Sequence, residues 1–75
     1  MTRNLSDCVS NSRVFIISVS GGRTLQRRCS DMGLVPGSDA CIQSNFGGRI
    51  YLTCNGTSYA IGKGMAHKIL VSTQE

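Results

Sequence analysis

The sequence predicts a small, mainly β domain that contains one helix. Three observations support this fold class: short segments rich in β-branched residues, the tight-turn pairs Gly47-Gly48 and Asn55-Gly56, and one helical pattern that stops at Gly33. Short strands joined by tight turns leave few exposed edges when they curl into a barrel. We therefore expect a small SH3-like β-barrel of about five strands with one inserted α-helix.

Length and composition indicate a single domain over residues 1–75. A chain of this size buries only about 60% of its unfolded surface, so we expect a shallow core without a deep substrate cavity. Residues 1–12 are expected to form a loose lead-in, with Leu5 and Cys8 packed against the barrel, and residues 73–75 to form a frayed tail. The small size favours a binding protein over an enzyme.

The first strand is predicted over residues 13–20, because this segment is rich in β-branched side chains. Period-two alternation places Phe15, Ile17 and Val19 on one face. The opposite face carries Val14 and Ile16, so both faces are expected to be covered at the start of the strand.

The helix is predicted over residues 23–32, with Leu25, Cys29 and Met32 in its buried stripe. Gly33 suits the positive φ of a helix end, and the turn at Pro36-Gly37 follows. The side of the helix opposite this stripe carries Arg23 and Arg27, and Arg28 flanks the stripe. These arginines either form a solvated face, with Asp31 pairing Arg27 or Arg28, or serve as a docking surface for a partner.

Four further strands are predicted over residues 39–46, 49–54, 57–61 and 68–72, with one helical turn at residues 65–67. The inward-facing side chains are expected to be Ala40, Ile42, Ile50, Leu52, Cys54, Tyr59, Ile61, Ile69 and Val71.

An ordered series of residues resembles the FeoA family, the small accessory proteins of bacterial ferrous iron uptake. The matching residues are Leu25, Met32-Gly33-Leu34, Pro36-Gly37, Ile42, Gly47-Gly48, Ile50-Tyr51-Leu52, Gly56, Tyr59-Ala60-Ile61, Ala66 and Ile69-Leu70-Val71. Cys29 and Cys54 depart from the pattern, which usually has leucine and an aliphatic residue there. The resemblance implies an SH3-like domain, also similar to the C-terminal domain of metal-dependent transcription regulators, and the family term transition metal ion binding.

The cysteines and the histidine do not predict a metal site. The four cysteines are Cys8, Cys29, Cys41 and Cys54, and no two are separated by only two residues, as structural zinc sites commonly require. Three occupy apolar positions, where a thiol behaves as a small hydrophobic group, and only Cys41 is expected to face outward. His67 stands beside Lys68, and a surface position is expected. We expect no metal and no cofactor.

No catalytic constellation is present in the sequence. The aspartates are scattered over separate elements, and no serine lies in a nucleophile elbow. The glycines occupy turns and do not form a phosphate-binding loop. The sequence therefore predicts a protein that is not an enzyme.

A net charge of +4 keeps nucleic-acid binding open as an alternative function. The residues suited to stacking and phosphate contact are Phe46, Arg49 and Tyr51, around the Gly47-Gly48 hairpin. The alternative interpretation is that Phe46 packs over the open end of the barrel. The chain has no helix-turn-helix pattern, so a complete repressor is not expected.

The resemblance implies an adapter that contacts the cytoplasmic part of the ferrous iron permease FeoB. We expect a cytoplasmic protein, since no segment has a membrane-spanning or secretory pattern. The partner-binding residues are predicted to lie on the helix and the hairpin: Arg23, Arg27, Arg28, Phe46, Arg49 and Tyr51.

Overall fold

The computed structural model describes residues 2–73, which form six strands, two α-helices and a 3-10 turn at Leu5–Asp7. The strands are β1 (Thr2–Asn4), β2 (Ser12–Val19), β3 (Asp39–Phe46), β4 (Arg49–Cys54), β5 (Thr57–Gly62) and β6 (Ile69–Thr73). The helices are α1 (Arg23–Asp31) and the short α2 (Lys63–Ala66). The mainly β, SH3-like class predicted from the sequence is confirmed.

The six strands form one antiparallel sheet in the order β1-β6-β2-β3-β4-β5. Among residues 2–73, β1 and β5 are the two ends of the sheet and do not pair with each other. The sheet is therefore a loose barrel, and the expected closure that removes every edge is wrong. The free edge of β5 lies beside the candidate site described below.

The N-terminal segment is not the loose lead-in that the sequence suggested. Its first residues form β1, in which Arg3 lies opposite Val71 of β6. Leu5 and Cys8 are buried as predicted, at 0% and 2% exposure, and their side chains pack the segment against the core. Thr73, expected in the frayed tail, extends β6 and pairs with Val14, while residues 74 and 75 lie outside the described part.

The faces of β2 differ from the simple alternation predicted for it. Val14 and Ile16 are buried, whereas Ile17 is 41% exposed. The pairing of β2 with β6 shifts register between Ile16 and Ser18. This bulge reverses the phase of the strand, because an extra residue lets Val19 pack against the core on the same side as Ile16.

Helix α1 ends in a Schellman motif, which explains the glycine stop. The Gly33 N–H donates to Ser30 O at 3.0 Å and the Leu34 N–H donates to Cys29 O at 2.8 Å. Gly33 has φ +82°, the left-handed conformation that this motif requires. Leu34 is fully buried and fixes the end of the helix on the core.

The core is formed by the inner face of the curled sheet together with α1, α2 and the 3-10 turn. Most predicted inward positions on β3 to β6 are buried, and Tyr59 is half-buried against the core. The fully buried larger side chains are Leu5, Leu34, Ile42, Ile50, Leu52, Ile69, Val14 and Val71.

Candidate partner-binding groove

The end of α1 lies close to the β4–β5 turn, at the start of β5. At Gly33, a Cβ atom would lie 2.5 Å from Asn55 Nδ2 and 3.6 Å from Cys54 Sγ. The Cys54 thiol also contacts Gly33 O at 3.6 Å. The missing side chain of Gly33 therefore lets the last turn of the helix rest against the turn that begins β5.

A groove beside the end of β5 has a volume of about 530 Å³, a size typical of small binding clefts. It lies between the C-terminal part of α1, the start of β4, the end of β5 and α2. Its lining side chains are two cations, one anion and four apolar groups: Arg28, Arg49, Asp31, Met32, Ala60, Ile61 and Met65. The structure thus brings together cations from α1 and β4 around an apolar floor.

Two of the six predicted partner-binding residues line this groove, namely Arg28 and Arg49. Arg23 and Arg27 are exposed on α1 but do not line it. Within residues 2–73, Asp31 forms no ion pair with Arg27 or Arg28, so the intrahelical pairing considered for the solvated face is not formed. Asp31 instead lines the groove.

The hairpin aromatics lie outside the groove but at the same end of β4. Phe46 is the register partner of Arg49 and is 84% exposed. The alternative in which this ring covers the open end of the barrel is therefore wrong. Tyr51 is 44% exposed on the outer face of the sheet, where it lies opposite Ala60 of β5. Phe46 is the most exposed of the large hydrophobic side chains within residues 2–73.

An exposed ion pair between Arg13 and Asp39 lies away from the groove. Both Nε and the terminal nitrogen of Arg13 donate to Asp39 Oδ2, and the Nε contact is 3.1 Å. The guanidinium also lies 5.9 Å from the centroid of the Phe15 ring. The hydrogen bond from Arg13 lowers the pKa of the Asp39 carboxyl. This pair links β2 to β3, and neither residue lines the groove.

The cysteines lie where the sequence predicted them. Cys8, Cys29 and Cys54 are buried and Cys41 is exposed. Burial raises the pKa of the Cys29 and Cys54 thiols, which keeps both in the neutral form at pH 7. Residues 2–73 contain no group of three or more His, Cys, Asp or Glu side chains that could hold a metal ion.

A second surface depression lies beside α2 and the 3-10 turn. It is lined by Asp7, Lys63, His67 and Lys68, with the nearly buried Ser6 hydroxyl 3.4 Å from His67 Nδ1. His67 is exposed, as expected from the sequence. The Ser6–His67 distance is at the long end of the range for a hydrogen bond.

Sequence reasoning missed the apolar part of the groove. Met32 was expected in the core stripe and Ile61 on the inner face, and both also contribute to the lining. Met65 and Gly62 gave no distinct signal. One indication was available in the sequence: Gly62 directly follows a predicted strand but does not belong to a turn dipeptide.

No helix within residues 2–73 has the length and apolar character needed to span a membrane. No curated protein matches the sequence of this chain.

Solved structures of FeoA proteins are similar to this chain over nearly its whole length. A crystal structure of an iron uptake regulatory protein (FeoA) is 27% identical, with 99% of this chain and 100% of that chain covered and a TM-score of 0.93. An FeoA-like protein from Clostridium acetobutylicum is 28% identical, with 96% and 86% covered and a TM-score of 0.84. An FeoA protein from Chlorobium tepidum is 27% identical, with 97% and 71% covered and a TM-score of 0.86.

A manganese-dependent transcriptional repressor shares the fold at 17% identity, with 97% of this chain and 41% of that chain covered and a TM-score of 0.91. That identity shows a common architecture only. The FeoA domain model matches residues 3–73, which is almost the entire sequence. This chain therefore belongs to the FeoA domain family.

Proposed function

We propose that this protein is a cytoplasmic adapter of bacterial ferrous iron uptake that contacts the soluble part of the permease FeoB. Membership of the FeoA domain family implies the role in ferrous iron uptake. The adapter acts through protein contact and performs no chemistry of its own. The observation that carries this proposal is the groove between α1 and β5, where Arg28 and Arg49 flank an apolar floor.

The exposed Phe46 side chain supports the same proposal. It is 84% exposed at the end of the β3–β4 hairpin, directly opposite Arg49 in the register. Phenylalanine and arginine are both enriched in protein interfaces relative to the rest of the surface. We therefore place the hairpin tip at the margin of the permease contact.

Nucleic-acid binding is the competing function, because an exposed ring beside an arginine could also stack on a base. The two functions differ in their dependence on salt. A protein that makes 6–10 phosphate contacts loses roughly 10³–10⁵ in affinity between about 50 and about 200 mM salt. An interface with an apolar centre loses much less, because only its charged rim is screened.

The experiment is a titration of the protein against the isolated soluble domain of FeoB and, separately, against single-stranded RNA and DNA, at both salt concentrations. We expect measurable binding to the FeoB domain that weakens by less than about tenfold at the higher salt. Phe46→Ala should weaken that binding, whereas Val9→Ala, at a side chain 65% exposed outside the hairpin, should not. Binding to nucleic acid alone, with a steep salt dependence, would overturn the proposal.

A further inference from the structure

The hydrogen-bond phase of β5 determines which of its backbone groups face solvent. The Lys63 N–H donates to Gly48 O at 3.0 Å, so this pair is hydrogen-bonded across the hairpin. Gly62 lies opposite Arg49 in the next position, and hydrogen-bonded and non-bonded pairs alternate along an antiparallel ladder. Ser58, Ala60 and Gly62 therefore direct their N–H groups away from β4, as do the C=O groups of Ser58 and Ala60, whereas the C=O of Gly62, the N-cap of α2, belongs to the first turn of that helix.

That outward edge of β5 has no partner within residues 2–73. In the sheet order β5 is terminal, and no hydrogen bond from the described part of the chain reaches the backbone N–H of Ala60 or Gly62. Both residues are exposed, and both line the groove. A row of free N–H and C=O groups is a template for pairing with another strand.

The edge of β5 also lacks the features that normally prevent such pairing. Proteins protect their edges with charged side chains, proline or bulges. The segment Thr57–Gly62 contains no charged residue and no proline, and its register with β4 is continuous from Cys54 to Arg49. The opposite edge strand, β1, carries Arg3.

Gly62 is the N-cap of α2, a position that favours glycine, but its packing does not require one. Its φ is −77°, which any residue adopts, and a Cβ atom built on it would meet no atom within 4 Å. A glycine in a strand often marks a place where another backbone approaches closely. The missing side chain leaves the floor of the groove open next to the free edge.

The side chains around this edge specify the chemistry of what pairs with it. Arg28 and Arg49 favour carboxylates, and the single acid in the lining, Asp31, does not balance both. Met32 and Met65 supply adaptable apolar contacts between the two cations. Charge complementarity thus points to an extended segment with acidic residues around an apolar one.

We propose that the free edge of β5 receives an acidic, extended segment of the permease's soluble domain, which adds to the sheet as a further strand. Its main chain pairs with Ala60 and Gly62, and its carboxylates meet Arg28 and Arg49. This is β-strand addition, in which main-chain hydrogen bonds supply affinity and side-chain pockets supply specificity. The inference rests on the proposed function, because it takes the permease as the partner.

Two backbone variants test the pairing with the isolated soluble domain of FeoB as the probe. Ala60→Pro removes an outward N–H but breaks no bond to β4, since proline is tolerated where the N–H faces solvent. Ala60→Val is the matched control, because it keeps the N–H. We expect the Kd to rise at least about tenfold for Ala60→Pro, as the loss of a main-chain hydrogen bond to the partner predicts. For Ala60→Val, which loses none, we expect a rise of less than about threefold.

Gly62→Ala provides a second test if proline disturbs the fold. The added methyl group fits the free protein, so we expect a Tm within a few degrees of the wild type. Gly62 lines the groove, so the methyl group takes up space that the side chains of the incoming segment would fill, and binding should weaken at least about tenfold. The charge contribution is tested with Arg28→Glu and Arg49→Glu, for which Arg27→Glu, outside the groove, is the control.

The outcomes separate the two proposals. If the wild type does not bind the FeoB domain, the proposed function fails and this inference with it. If the wild type binds and Ala60→Pro and Gly62→Ala bind equally well, the adapter role stands and strand addition is overturned. Sedimentation of the protein alone tests for a second copy on the edge: self-association abolished by Ala60→Pro would also overturn the inference.

Discussion

Gly33 lies where the end of α1 meets the β4–β5 turn, and its replacement by alanine tests that contact. The residue has φ +82°, and its Cβ position lies 2.5 Å from Asn55 Nδ2. Gly33→Ala therefore introduces two separate effects: backbone strain in the left-handed region and a collision with the Asn55 side chain.

The matched control is Gly37, which has φ +94° but open space around its Cβ position. The left-handed strain costs about 1 kcal/mol at either site. The collision at Gly33 adds about 1 kcal/mol, at the low end for overpacking because the end of the Asn55 side chain can move. We expect Gly33→Ala to cost about 2 kcal/mol and Gly37→Ala about 1 kcal/mol, or roughly 8–16 °C and 4–8 °C in Tm.

Thermal and urea unfolding of the two variants measure this difference. Asn55→Gly removes the colliding amide and suits the φ of +53° at that position, so the double variant with Gly33→Ala should recover the added 1 kcal/mol or so. Equal costs for Gly33→Ala and Gly37→Ala would refute the close contact between α1 and the turn. Failure of Asn55→Gly to restore stability would do the same.

Three further predictions concern the rest of the fold. Ile16→Ala should cost about 2–5 kcal/mol in urea unfolding and Ile17→Ala less than about 1 kcal/mol, and equal costs would contradict the inward position of Ile16 and the outward position of Ile17. A thiol reagent should label Cys41 rapidly in the native protein and the buried cysteines only after unfolding; rapid native labelling of more than one thiol would contradict the buried positions. The hydrogen bond from Arg13 lowers the pKa of Asp39 in the folded protein. The ion pair therefore stabilises the fold at any pH above the ordinary aspartate pKa of about 3.9. This stabilisation is lost as the pH falls through the lowered pKa of Asp39 in the folded state. Arg13→Ala should raise that pKa in an NMR titration, and an unchanged value would show that Arg13 is not its cause.

Local turn chemistry explains why much of the fold could be predicted from the sequence. β4 lies at its predicted position because Gly47-Gly48 and Asn55-Gly56 fix both its ends, with positive φ at all four residues. The end of α1 followed in the same way from Gly33. By contrast, the faces of β2 depend on a bulge against β6, a strand about 50 residues later, and no local pattern encodes such a register shift.

The candidate site was less predictable because it depends on which strands remain unpaired. The arginines and hairpin aromatics were visible as exposed residues, and two of them, Arg28 and Arg49, line the groove. The edge of β5 beside the groove stays unpaired within residues 2–73 because the sheet does not close between β5 and β1. The N-terminal strand β1 pairs with β6 and not with β5. No residue pattern within β5 indicates that this edge stays unpaired.

Amide hydrogen exchange in the complex with the soluble domain of FeoB measures directly whether the partner pairs with the backbone of β5. In the free protein the N–H groups of Ala60 and Gly62 should exchange rapidly, whereas the N–H of Ile61, which faces β4, should be protected. On binding, Ala60 and Gly62 should become protected together. If a complex forms while both amides exchange as fast as in the free protein, the partner does not pair with β5 and the account is wrong.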